Sequence, residues 1–324
     1  MSTFLTMIST PESLLHPAVE AGHTGQIPDP ETTAHIAESV EKIEELSGER
    51  RYELLTEAFV GKHPDVAMQW LRDAGLLARL LPELDATVAF SQEGGRRHKD
   101  VWEHTKTVVL QAVPQPTVRW GAVLHDIGKV PTRRFVGEGK VTFHGHAEVG
   151  VRMFRRGPAK RICFPEPVRQ RVEDLIRYHL RPGQYEEGWT DSAVRRFTLE
   201  IGDLMPELLA LSRADVTSGR PGKRRRCLNM IAKLRDRIAA LEVEDTKPKP
   251  LPAGLGTLLM IALKLPPGRH LAEIRDRLAT LVEAGEIRGG EVANYYLEVI
   301  RARSLLDGVE IREPRASKKS TAGE

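Results

Sequence analysis

Along most of the chain, apolar residues return every three or four positions. In AHIAESVEKIEEL (34–46) the intervals run Ile36, Val40, Ile43 and Leu46, which predicts a helix closed by Ser47-Gly48. RRYELLTEAFVG, PDVAMQWLRDAGLLARLL and VWEHTKTVVLQAV repeat the period, as do residues 146–156, 166–180, 191–200, 204–217 and 223–242. One stretch departs from it. RRFVGEGKVTFHG alternates apolar and polar positions around Gly-Glu-Gly, the chemistry of a tight turn, and predicts a hairpin. The pattern therefore predicts an all-α helical bundle with one short β-hairpin.

Breaks in the pattern divide the chain. Residues 1–34 mix Pro, Gly, Ser, Thr and His without period, as a flexible leader that folds little by itself would. A helical neck is expected over 35–97, a main helical domain over 98–243, and a small C-terminal helical unit over 253–304 beyond the proline-rich EDTKPKPLPAGLG. Residues 305–324 read as a flexible, solvated tail, and no internal repeat has a fixed period.

Composition changes this picture little. With 324 residues, 48 Lys+Arg against 45 Asp+Glu and a net charge of +3, the chain can bury a substantial core and carries too little excess charge to name a partner. Cys163 and Cys227 stand far apart without metal-knuckle spacing, which points to a reducing, cytoplasmic setting. The N-terminus lacks the build of a signal peptide, and no apolar run approaches the roughly 18 residues of a membrane span, so a soluble protein without a membrane partner is expected. The one dense basic run is GRPGKRRR (219–226).

Chemistry enters where ionisable residues fall on apolar stripes. His104 lies in the stripe of Val101, Thr105 and Val108; His146 opens the face of Val149, Gly150 and Met153. His179 continues the face of Val172, Leu175 and Ile176, and Asp215 that of Leu204, Leu208 and Leu211. His125 and Asp126 end the apolar helix of Trp120, Val123 and Leu124. Singly, each could be a hydrogen-bonded core residue or a cap. Six inward ionisable groups in one core are costly unless they share a counter-charge, which a divalent cation supplies. Imidazole with carboxylate and no thiolate suits Mn, Fe, Ni, Co or Zn.

The ordered set DVWEHT, VLHDIGK and SRADVTSG resembles the signature of the HD superfamily of metal-dependent phosphohydrolases. The resemblance implies that His104, His125, Asp126 and Asp215 hold one ion and that His146 and His179 complete a place for a second, with Asp126 bridging; the ion is then Mn, Fe, Ni, Co, Zn or Mg. It further implies hydrolysis of a phosphate ester by metal-activated water, with Asp126 and Lys129 as catalytic groups. Lys129, one turn beyond His125, is placed to meet a phosphate oxygen, and Arg133, Arg134, Arg177 and Arg181 are candidates for a phosphate-binding rim. His146 is preferred over His144 because it opens the stripe, and His98 is read as a surface residue or a partner of a ligand.

Residues 49–240 further resemble the C-terminal portion of bacterial CCA-adding enzymes, the tRNA nucleotidyltransferases that carry an HD domain; GTLLMIALKLPPGRHLAEIRDRLATLVEAGEI is similar to a divergent form of the helical unit that follows there. The polymerising head of that family carries a Gly-Gly-Ser-x-Arg-Asp stretch and an Asp-x-Asp pair. Neither precedes residue 49, and EGGRRHKD (93–100) reads as a loop, so CCA addition by this chain alone is not expected. Two functions stay open. The first is a phosphohydrolase acting on a nucleotide, cyclic nucleotide or RNA phosphate end. The second is a non-catalytic RNA-binding or partner module, with tRNA as a possible ligand; the basic run is either the solvated start of a helix or a site for an anion, which the dipole-opposed cations at a helix start favour. None of the six ligands is degraded, which places the hydrolase first.

Overall fold

A computed structural model of the chain describes residues 10–88, 100–136, 140–246 and 250–311. Many helices open at a proline whose missing N–H would be unpaired anyway, or behind a short polar side chain that accepts a free N–H. Asp29 accepts from Thr32 N (2.8 Å), Ser47 from Arg50 N (3.2 Å), and Asp100 from Trp102 N (2.9 Å) and Glu103 N (3.3 Å). The first helices are α1 (His16–Thr24), α2 (Pro30–Glu38), α3 (Gly48–Val60), α4 (Pro64–Asp73) and the short α5 (Leu76–Leu80) and α6 (Pro82–Asp85). Next come α7 (Val101–Gln111), α8 (Pro116–Leu124) and the single turn α9 (Lys129–Thr132). Strands β1 (Arg134–Val136) and β2 (Lys140–Thr142) form the expected antiparallel hairpin, with Phe135 opposite Val141; the GEG turn lies outside the described residues. The chain continues through α10 (His146–Arg156), the short α11 (Pro158–Arg161), α12 (Glu166–Tyr178), α13 (Asp191–Ile201), α14 (Met205–Ala214) and α15 (Pro221–Thr246).

Three expectations need correction. Residues 10–34 do not behave as a loose leader: Leu14, Leu15, Ala18 and Ala21 are buried, and α1 packs on α3 and α4. The sequence hides this because the buried residues are few and lie among prolines and glycines. The predicted helix over 34–46 breaks at Ser39 into α2 and a 3-10 turn, Val40–Glu45, that still buries both Ile36 and Ile43. Ser47, expected to close that helix, instead caps the next one. Finally, the neck shares its core with the main domain. Phe59 meets Trp120 edge-on at 5.1 Å, Trp120 meets Phe164 at 4.7 Å, and Trp120 Nε1 donates to Thr56 Oγ1 (2.8 Å). Edge-to-face aromatic pairs of this kind add about 0.5–1.5 kcal/mol each beyond area burial.

Helix α8 is the centre of this unit. Every residue from Thr117 to Leu124 is buried, and the helix packs against α3, α7, α12 and α14. An element apolar on all sides has no surface face, so α8 can only be an axis for others. Its one charge, Arg119, closes the end of α7 by donating to the carbonyls of Val109 and Val113.

The chain forms two compact units, Met1–Ala240 and Leu241–Glu324, so the division falls within α15 rather than in the proline-rich segment. The second unit contains α16 (Leu255–Leu263), α17 (Arg269–Glu283) and α18 (Ala293–Ala302) around Leu259, Ile274, Leu278, Tyr296 and Ile300. Residues 305–311, read as part of a tail, contribute Val309 to that core; residues 312–324 lie outside the described residues.

One buried carboxylate steadies α12, which carries His179. Glu173 is 1% exposed and accepts from Arg155 (2.5 and 2.7 Å) and Arg177 (2.7 Å). Burial alone would raise its pKa, but the hydrogen bonds and charge of Arg155, with Arg177 adding to them, hold it below the usual carboxylate range. A folded value below the unfolded one means that this stabilisation is complete above about pH 4.3 and fades as acid protonates the folded form. Glu173→Gln is expected to destabilise by about 2 kcal/mol at pH 7, allowing for solvent screening of the half-exposed guanidiniums, and by less at pH 4. Urea midpoints of both proteins at the two pH values check this.

Candidate metal centre

Three helices end at one place. His125 is the residue after the last turn of α8, His179 holds the same position on α12, and Asp215 on α14. Each helix therefore brings the negative end of its dipole to the cluster. Asp126 follows His125, His104 comes from the first turn of α7, and His146 opens α10 behind Gly145, whose φ of 72° is the left-handed turn that glycine permits. Five of the six are nearly or fully buried, and the Asp215 side chain is 28% exposed.

Backbone carbonyls orient three of the four imidazoles. The Nδ1 of His125, His146 and His179 faces the carbonyl three residues earlier: Ala122 O (2.8 Å), Phe143 O (2.8 Å) and Ile176 O (2.7 Å). A carbonyl only accepts, so each Nδ1 carries a proton and each Nε2 turns to the cluster. His104 Nδ1 meets the Thr217 hydroxyl instead (2.9 Å).

Asp126 sits between two sets of partners. Its Oδ2 faces His125 Nε2 (3.2 Å), His104 Nε2 (3.4 Å) and the Lys129 ammonium (2.5 Å); its Oδ1 faces His146 Nε2 (3.5 Å) and His179 Nε2 (3.9 Å). Asp215 Oδ1 joins the first set, 3.0 Å from His104 Nε2 and 3.8 Å from His125 Nε2. Burial would raise both carboxyls. For Asp126, the charge on His125 and hydrogen bonds from His104 and His125 outweigh it and hold the group well below the ordinary range. For Asp215, the hydrogen bond from His104 and the charge on His125 do the same, bringing it to about 2. Both stay ionised near neutral pH. His104 would be lowered by burial, but its hydrogen bonds to the two carboxylates raise it.

The second set has acceptors only. His146 Nε2 and His179 Nε2 are 3.1 Å apart. Placing a proton between them would make one ring an imidazolium, since both Nδ1 atoms are already protonated. Burial opposes that: it lowers His146, and it carries His179 down to about 4 with the charge on His125 adding to the shift. Two lone pairs and a carboxylate oxygen thus converge without a donor, an arrangement that costs free energy unless a cation takes its place. His104, His125 and Asp126, and likewise Asp126, His146 and His179, offer ligand atoms within 4.8 Å of one another. The donor set of imidazole nitrogen and carboxylate oxygen fits a divalent transition ion.

Gly128, in the HDIGK stretch, sets the spacing behind the cluster. A Cβ there would lie 2.0 Å from His146 O and 2.7 Å from Gly150 N, so only glycine lets α9 lie against α10. Of the other groups expected at the site, Lys129 is present, and it lines a small cavity of about 210 Å³ with Val101, His104 and Asp215. The arginine rim is not formed as expected. Arg177 is engaged by Glu173, Arg181 pairs twice with Glu200 (2.9 Å each), and the Arg133 guanidinium lies over the Phe135 ring at 5.1 Å. Arg134 donates to its neighbour's carbonyl. His144 is exposed, and His98 lies outside the described residues. Thr217 and the three orienting carbonyls were missed. A carbonyl has no residue identity, but the placing of His125 and His179 just past a helix end is a usable signal.

The HD domain family model matches residues 101–241, the region that supplies all six groups. The chain carries an HD domain. A second family model, described as the probable RNA and SrmB-binding site of polymerase A, matches residues 27–87, ahead of the HD domain. The chain is 33% identical over 76% of its length to the CC-adding tRNA nucleotidyltransferase of Thermus thermophilus, covering 58% of that protein. It is 29% identical over 58% of its length to the multifunctional CCA protein of Teredinibacter turnerae, covering 44%, and 39% identical over 31% to that of Pseudomonas fluorescens, covering 26%. The chain thus spans about half or less of the relatives it matches. Among its described residues no helix is long and apolar enough to cross a membrane.

Two outcomes are expected. Mn²⁺ at about 100 times its Kd should stabilise the protein by roughly 2.7 kcal/mol, seen as a rise in Tm that EDTA reverses. Gly128→Ala should destabilise by about 1–3 kcal/mol through overpacking and shrink that Mn²⁺-dependent rise, because the HD domain can accept the methyl only by displacing His146. Thermal denaturation with and without the ion reads both.

Proposed function

We propose that the chain is a metal-dependent phosphohydrolase acting on a nucleotide, a cyclic nucleotide or the phosphate end of an RNA. The observation that carries this reading is the division of the two Asp126 oxygens between two imidazole sets, one of them without a donor. On this reading His104, His125, Asp126 and Asp215 hold one ion, and His146 and His179 share Asp126 with a second, of the Mn, Fe, Ni, Co, Zn or Mg group. Such an ion acidifies water and offsets the charge that develops on phosphoryl oxygens. In hydrolysis a water oxygen bonds to phosphorus as the bond to the leaving oxygen breaks; one water proton passes to that oxygen and the other stays on the new phosphate. Asp126, ionised and buried, would serve to hold the ion. Lys129 keeps its ammonium at the cluster, where it draws a phosphoryl oxygen toward the ligands.

A second reading rests on the match over residues 27–87 and on the cations Arg220, Arg224 and Arg225, which are exposed. There the chain is an RNA-binding or partner module, and the names of its relatives point to tRNA. The two free cysteines accord with a cytoplasmic setting for either.

Metal analysis, hydrolysis of bis(4-nitrophenyl) phosphate and of 2′,3′-cyclic nucleotides, and filter binding of tRNA separate the two. For the hydrolase, Asp126→Ala loses bound metal and at least about a hundredfold in kcat/KM together. A protein without hydrolysis whose tRNA affinity survives Asp126→Ala and falls with salt is the module.

A further inference from the structure

Beside the cluster lies an open cleft of about 470 Å³, within the roughly 300–1,000 Å³ that holds a small ligand. His179 and Asp215, two of the proposed metal ligands, form part of its wall, so the cleft and the cluster are continuous. Tyr185, Met230 and Ile231 supply an apolar surface, and Lys223 and Arg226 supply charge. The α15 residues follow helical spacing: positions 223, 226, 227, 230 and 231 share one face. The basic run is thereby split, because Arg224 and Arg225 line a different groove with Ser218 and Pro221.

The two cations facing the cleft differ from the arginines first assigned to phosphate. Lys223 and Arg226 make no ion pair or hydrogen bond among the described residues, whereas Arg177 and Arg181 are held by carboxylates. They stand in the first two turns of α15, where the helix dipole adds to their positive field, so an anion there is favoured twice over. The cleft is also braced: Arg237 of α15 pairs with Asp191 (2.6 Å), and Lys233 with Glu187.

We infer that this cleft binds a ribonucleotide unit with two phosphate groups, its base against Tyr185, Met230 and Ile231, one phosphate at the cluster and the second held by Lys223 and Arg226. The inference rests on the phosphohydrolase reading for the phosphate at the cluster, and it makes Lys223 and Arg226 specificity residues. A free nucleoside bisphosphate and the terminal unit of an RNA share this chemistry.

Cys227 lines the same cleft and reports on it. In Cys163→Ser protein it is the one remaining thiol, and its alkylation by iodoacetamide can be followed with Mn²⁺ present, over times too short for turnover. Adenosine 3′,5′-bisphosphate should protect it at concentrations roughly tenfold below those needed with adenosine 3′-monophosphate, the factor that one charge-assisted contact contributes. Lys223→Gln/Arg226→Gln, with an unchanged circular dichroism spectrum, should erase that difference, and Arg224→Gln/Arg225→Gln should preserve it. The dinucleotide ApAp protecting as well as the bisphosphate identifies an RNA end as the source; protection by the bisphosphate alone identifies a free nucleotide. Equal protection by both adenosine phosphates, or none, overturns the inference. Protection without any hydrolysis activity would leave the cleft standing and remove the hydrolase; hydrolysis without protection would remove the cleft alone.

Discussion

The structure depends on one electrostatic constraint: groups that repel one another are held together at a single point. Helices α8, α12 and α14 bring their negative ends there, Asp126 and Asp215 bring full charges, and His146 and His179 turn lone pairs to each other at 3.1 Å. None of this lowers the free energy of the folded chain by itself. It becomes favourable only with positive charge at the centre, and the protein supplies one ammonium, Lys129, on one oxygen of Asp126.

Holding such a site together falls to the packing around it. The fully buried α8 fixes His125 and Asp126 relative to α7, α12 and α14, and the aromatic stack through Trp120 ties that axis to the N-terminal helices. Gly128 lets α10 approach closely enough for His146 to share Asp126 with His179. Carbonyls three residues before three of the histidines then leave each ring one orientation, so the cluster is organised before anything binds.

The cations of the chain are sorted by the same logic. Those with a buried or fixed carboxylate in reach, such as Arg177 beside Glu173 and Arg181 beside Glu200, serve the scaffold. Lys129 remains at the cluster, and Lys223 and Arg226 remain along the cleft that opens from it. A net charge of +3 conceals this division, because it counts the cations without showing which of them carboxylates hold on the scaffold.

How much of this was legible in the sequence varies by residue. The helical period is local, so helices such as α10 and α12 were readable from it, as was the hairpin from alternation around Gly-Glu-Gly. The six inward ionisable residues were legible too, because a polar side chain on an apolar stripe contradicts its surroundings within a few residues. Burial of α1 was not, since its few small apolar residues acquire meaning only against α3 and α4. Nor was the sorting of the arginines, for the carboxylate that claims Arg181 is nineteen positions away on another helix. The sequence by itself determined the helices and the residues that had to find a counter-charge, because both are set by neighbours along the chain. Only the tertiary structure decided which oxygen of Asp126 faces which set and that Lys223 and Arg226 border them, because such distances depend on how separate helices pack.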